Sequence, residues 1–190
     1  MVRFCRLQRI AGSLVLVALL ATGGDSAPRS WPSTVVALRG GGTTDFWALD
    51  GDHWEALAAA PAPVGPGGAL TQLWRFGYVY AFRGDGRPDF WRIQMTSGAP
   101  TWVAVAPAPG PVGAGAALAG SNWGGLPHDM VYALQGGGSR AVWAYDANLD
   151  SWRHLTDAPG SVGPGGAIAI SNYGQRVILT VVLGGGSSQI

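Results

Sequence analysis

The sequence predicts an all-β fold: a β-propeller of about three and a half four-stranded blades, incomplete or open. Three observations lead to it. The first is a pattern written three times: an apolar strand ending in G-x-G, an aromatic pair, a second Trp, a Pro and V-G-x-G. The copies run Val35 to Gly42, Phe46-Trp47, Trp54, Pro61 and Val64 to Gly67; Val79 to Gly86, Phe90-Trp91, Trp102, Pro109 and Val112 to Gly115; and Val131 to Gly138, Val142-Trp143, Trp152, Pro159 and Val162 to Gly165. A fourth copy starts at Val181-Val182-Leu183-Gly184. The second is the spacing of Gly40, Gly84, Gly136 and Gly184, which is 44, 52 and 48 residues. Strand-rich periods of about 40–50 residues are those of propeller blades. The third is that 31 Gly and 13 Pro recur at fixed repeat positions, as turn punctuation does and low-complexity sequence does not.

Four short strands follow in each unit. Strand a is the small-residue segment Gly67–Trp74, Gly115–Ser121 or Gly165–Ser171, suited to an innermost strand where backbones crowd. Strand b is the β-branched and aromatic run Thr34–Arg39, Tyr78–Arg83, Met130–Gln135 or Val177–Leu183. Strand c holds Phe46–Leu49, Phe90–Ile93 or Val142–Tyr145, and strand d opens at Trp54, Trp102 or Trp152. The c–d turns carry Asp50-Gly51-Asp52, Ser97-Gly98 and Asp146-Ala147-Asn148. Length varies between the two Trp residues, but the step from second Trp to Val-Gly is constant, which predicts a rigid unit with indels confined to loops. The blades fall near 34–65, 66–113 and 114–163, with a partial one at 164–190. Strand a of the first unit is expected from Pro28–Ser33.

Residues 1–27 read as a signal peptide, or an uncleaved anchor, and the expected location is secreted or extracytoplasmic. Arg3, Arg6 and Arg9 precede the apolar run Ile10–Thr22, followed by small residues up to Ala27. That run is short for a bilayer, so any membrane contact is expected only through this segment. Cys5, the single cysteine, precedes the run and leaves no disulfide for the body. From Pro28 onward nine Arg face ten acidic residues. Such a balance offers no basic stripe for nucleic acid.

These elements together resemble the kelch family of β-propellers over roughly residues 34–187. The shared marks are the Gly doublet closing strand b, the aromatic position in strand c and the Trp several residues on. The Tyr common in kelch strand c is matched by Tyr145, while Leu49 and Ile93 stand there in the other units. The resemblance implies a closed ring. The chain supplies too few blades for one, which leaves truncation of a longer protein, self-association into a ring, or an open stack. Galactose oxidase shares the propeller superfamily, but its copper site does not carry over: the body has no Cys, and His53, His128 and His154 lack a matching arrangement. No segment matches the sialidase turn S-x-D-x-G-x-T-W.

The recurring Trp47, Trp54, Trp91, Trp102, Trp143 and Trp152 are expected to pack between blades. Trp31, Trp74 and Trp123 lie outside that rhythm, as sugar platforms or core caps. The b–c and d–a loops share one face of such a blade. Arg39, Arg83 and Gln135 stand there once per unit, suited either to anionic or polyhydroxyl ligands or to bonding neighbouring loops. Asp85, Arg87, Asp89 and Arg140 are the next candidates. The glycine runs lack the helix and Lys-Ser/Thr of a phosphate loop, and Asp50-Gly51-Asp52 lacks the downstream Glu of a calcium loop. No G-x-S-x-G holds a nucleophile. The expectation is a non-catalytic binding module, with no cofactor and no metal, that meets a protein or glycan through the loop face. The alternatives are a fragment of a propeller enzyme whose active site lies in other blades, and a purely structural repeat.

Overall fold

The computed structural model describes residues 14–17, 35–73, 77–95, 100–121, 129–173 and 176–186. All strand pairs are antiparallel, and each sheet is a meander. The first unit is β1 (Leu14–Val17), β2 (Val36–Arg39), β3 (Phe46–Asp50) and β4 (His53–Ala56). The second is β5 (Ala69–Leu73), β6 (Tyr78–Gly84), β7 (Arg87–Gln94) and β8 (Trp102–Ala104). The third is β9 (Ala117–Gly120), β10 (Met130–Leu134), β11 (Val142–Asp146) and β12 (Ser151–His154). The fourth, among the described residues, is the pair β13 (Ala167–Tyr173) and β14 (Arg176–Val182). β1, β5, β9 and β13 lie beside one another as the inner strands. The result is a propeller-like array of blades that does not close.

Strand a of the first unit departs from the expectation. Pro28–Ser33 lies outside the described residues, and the place beside β2 is taken by Leu14–Val17, in register from Leu14↔Arg39 to Val17↔Val36. Chemistry favours this choice. Pro28 and Pro32 carry no N–H for a ladder, whereas Leu-Val-Leu-Val donates throughout and suits a pleated strand. The rest of the segment read as a leader, with Cys5, lies outside the described residues.

Units 2 and 3 are sandwiched between neighbours, so their inner strands are apolar on both faces. β10 is buried at every position, while the outer strand β12 is largely exposed. We call the side of a blade towards the preceding unit its trailing face and the other its leading face. Val36, Leu38, Phe46 and Ala48 on the leading face of unit 1 pack against Leu70, Val79, Ala81, Trp91 and Ile93 on the trailing face of unit 2. Tyr80, Phe82 and Phe90 then meet Val131, Ala133, Trp143 and Tyr145. Leu134, Val142, Tyr132 and Ala144 meet Ile168, Leu179 and Val181. Burying one such large side chain contributes about 1.5–3 kcal/mol.

At the loop face the V-G-x-G segment joins successive blades through its backbone. Gly42 N–H donates to the Val64 carbonyl (2.9 Å) and Val64 N–H to the Thr43 carbonyl (2.8 Å), both in unit 1. The next residues bond unit 2: Gly65 N–H to the Arg83 carbonyl (3.0 Å), and Asp85 N–H to the Pro66 carbonyl (2.8 Å). The same four bonds recur around Val112-Gly113, tying units 2 and 3, and around Val162-Gly163, tying units 3 and 4. Each valine is buried, at 1%, 0% and 0% exposure. The clasps stack closely. A Cβ on Gly115, which has φ of +90°, would collide with the Gly163 carbonyl. Gly115→Ala is therefore expected to lower stability by roughly 2–4 kcal/mol. Gly41→Ala, with φ of +75° but nothing within 4 Å, should lose only about 1 kcal/mol. Urea unfolding midpoints of the two variants check the difference.

Candidate functional site

Strands β2, β6 and β10 run into b–c loops turned by glycines of positive φ, among them Gly41, Gly84 and Gly136, and Arg39, Arg83 and Gln135 stand at those strand ends on the loop face. Arg39 Nη1 pairs with Asp45 Oδ2 at 3.3 Å. Arg83 Nη1 pairs with Asp89 Oδ2 at 3.2 Å, and its Nε donates to the Pro63 carbonyl before the clasp, also at 3.2 Å. Gln135 repeats the second contact: Nε2 donates to the Pro111 carbonyl at 2.9 Å, while its Oε1 accepts from Ser139 Oγ at 2.6 Å. Leu183, at the same place in unit 4, has no polar group and packs with Val162. Arg83 and Gln135 thus bond neighbouring loops, the other role the sequence allowed them.

The structure brings the remaining candidates to this face. Asp85, Arg87 and Arg140 are exposed, and Arg140 Nε donates to the Ala158 carbonyl at 2.8 Å. Asp85 sits at φ 58°, tolerated because Asp is one of the few residues that enter the left-handed region. Sequence reasoning missed Asp45 and Ser139. Asp45 could have been found, since it follows Arg39 by the same six residues that separate Arg83 and Asp89. A paired guanidinium and carboxylate is close to neutral as a unit. Its unused N–H donors and lone pairs suit a ligand that both gives and takes hydrogen bonds.

The other candidates are dispersed. His53 lies 3.5 Å from Asp52 in the exposed c–d turn, and His154 lies 3.1 Å from Asp157. His128, Trp31, Trp74, Trp123 and the Ser97-Gly98 turn lie outside the described residues. Among the described residues no three His, Cys, Asp or Glu gather as a metal-holding group. Nor, among them, is any helix long and apolar enough to cross a membrane.

The opposite end of blades 2 and 3 holds a tyrosine cluster. The Arg92 guanidinium lies 4.7 Å from the Tyr78 ring centroid, beside the Tyr80 hydroxyl. Burial pushes the Tyr80 hydroxyl up from its usual pKa, partly offset by Arg92. Tyr132 is also raised by burial. Tyr145 is raised furthest, by burial and by its 2.7 Å hydrogen bond to Asp150 Oδ1. Asp150 also accepts the Ala106 amide at 2.8 Å, so one carboxylate ties unit 3 to unit 2.

No family model matches the chain, and no curated protein matches it. Among solved structures, YjhT is similar at 19% identity and a TM-score of 0.43, over 65% of this chain and 36% of that one. The SapL1 lectin, solved with alpha methyl fucoside, is similar at 16% identity and a TM-score of 0.49, over 81% of this chain and 57% of that one. This chain therefore spans about a third and somewhat over half of their lengths. Neither likeness bears on what this chain binds, and the fold assignment rests on the strand pairing itself.

The tyrosines set the alkaline limit. Their pKa values are raised on folding, so their contribution is fully present below the unfolded value of about 10 and declines as pH rises beyond it. Above that pH the unfolded chain releases protons that the folded chain keeps. Stability should fall from about pH 10 upward, and Tyr145→Phe should make the slope shallower by roughly 1.4 kcal/mol per pH unit. Urea unfolding at a series of alkaline pH values measures both slopes.

Proposed function

We propose that the chain is a non-enzymatic, kelch-like propeller module that binds a glycan through its b–c/d–a loop face. The observation that carries this reading is the repeat of one partly exposed pair on adjacent blades: Arg39 with Asp45, and Arg83 with Asp89. Ion pairs in contact with water contribute only about 0–1 kcal/mol to stability, and these two keep their carboxylates about two-fifths exposed, at 42% and 41%. Vicinal sugar hydroxyls donate and accept together, and each pair offers complementary acceptors and donors. Anionic ligands fit less well, because each carboxylate already neutralises its guanidinium. Asp85, Arg87 and Arg140 would extend the contact along the rim. The reading includes export, supported by Arg3, Arg6, Arg9 and the apolar run after them. Cleavage after Ala27 would remove β1 and open the inner edge of β2.

On a glycan array, the protein should retain a defined set of sugars. Asp45→Asn together with Asp89→Asn should weaken that binding tenfold or more and leave the melting transition in place. Retention of no sugar, or binding indifferent to the double substitution, contradicts the proposal. Capture of a protein partner that the same double substitution abolishes would keep the face and replace the ligand class.

A further inference from the structure

The two ends of the array are different surfaces, and each copies a surface that is covered elsewhere in the chain. At the boundaries of units 1 and 2 and of units 2 and 3, the second Trp of the following unit crosses into the preceding one. Trp102 stands 5.0 Å from the Phe46 ring, and its Nε1 donates to the Ala58 carbonyl at 3.0 Å. Trp152 stands 5.0 Å from Phe90 and 5.8 Å from Phe82, and its Nε1 donates to the Ala106 carbonyl at 2.8 Å. Trp54 is the same residue in unit 1, and it is 47% exposed. Among the described residues its indole N–H meets no acceptor of the kind that Trp102 and Trp152 reach. Trp47 and Leu49 on that trailing face are partly open, whereas Trp91, Ile93, Trp143 and Tyr145 are buried. Arg39 likewise lacks, among the described residues, the preceding loop carbonyl that Arg83 and Gln135 bond.

At the other end, β14 turns Ile178, Thr180 and Val182 outward, with Ile178 47% and Val182 54% exposed. They precede Gly184 as Tyr78, Tyr80 and Phe82 precede Gly84, and as Met130, Tyr132 and Leu134 precede Gly136. Those earlier residues are the ones the next unit packs against. Ala167, Ala169 and Ser171, their partners on β13, are exposed too. They make a smooth floor beside the outward side chains.

We propose that the trailing face of unit 1 docks on the leading face of β13–β14 of a second copy of this chain, with Trp54 lying against Val182. A second copy is the occupant because one chain carries both faces: a trailing face with Trp54 exposed, and a leading face on β13–β14 with Val182 at the place of Phe82, which Trp152 meets. The pairing also continues an interface that the chain already makes three times. Such head-to-tail docking closes a ring if the rotation permits and otherwise extends the array. It also covers the exposed apolar face that Ile178 and Val182 present, a surface that seldom stays bare. Trp54 and Val182, the residues that test the docking, lie apart from Asp45 and Asp89, which test the loop-face binding, so the two proposals fail separately.

Light scattering on the full chain over a range of concentrations should give twice the chain mass or more. Trp54→Glu and Val182→Glu should each reduce it to one chain mass, and both variants should still melt cooperatively because the residues are exposed. Mixed in equal amounts, the variants should re-form a two-chain species, since one keeps an intact Val182 face and the other an intact Trp54 face. A single-chain mass at every concentration overturns the proposal. So does an oligomer that both substitutions leave intact, or a mixture of two cooperatively melting variants that stays monomeric.

Discussion

The array depends on the backbone clasp at each Val-Gly. A valine amide and carbonyl close onto the b–c loop of one blade, and the next two residues close onto the b–c loop of the following blade. These bonds use only main-chain groups, so the identity of the flanking side chains is nearly free. What is not free is volume. Gly67 and Gly115 lie against the carbonyls of Gly113 and Gly163 in the next clasp, and any Cβ there would push successive blades apart. The buried valine anchors the segment, and its amide and carbonyl, shut away from water, have to be paired within the protein.

Around that inner clasp the aromatic residues set how blades meet further out. The second Trp inserts its ring into the preceding blade and places its N–H on a backbone carbonyl there, satisfying its one polar group while burying a large area. The inner clasp and the outer Trp hold the boundaries of unit 2 with units 1 and 3 at two radii, so hinging there would have to break both. Asp150 adds a third tie between units 2 and 3. Stability is accordingly expected to reside in boundaries between repeats more than within any one sheet, as in other stacked-repeat proteins.

Much of this was legible in the sequence, for a definite physical reason. A strand buried on both faces is uniformly apolar, and tight turns need Gly, so Met130–Leu134 and Gly136–Gly138 announce themselves. The constant step from Trp152 to Val162 reflected the rigid path between the crossing ring and the clasp. Other features were not legible. Placing Leu14–Val17 in the first blade required weighing ladder capacity against an apolar run that also reads as a leader. Arg83 and Gln135 look like ligand groups because nothing in their type tells a loop carbonyl from a ligand oxygen. Asp45 was obscured because its link to Arg39 shows only once the spacing in unit 2 is laid beside it.

The loop face can present polar side chains because the clasp beneath them asks nothing of those side chains. Amide hydrogen exchange under native conditions tests that foundation most directly. The amides of Gly42, Val64 and Gly65, with their counterparts Gly86, Val112 and Gly113 and Gly138, Val162 and Gly163, lie in loops. The account predicts that they exchange only with global unfolding, as slowly as amides in the middle of β6 and β10. Exchange of these glycines at the rate of open loops, while β6 and β10 remain protected, would contradict it.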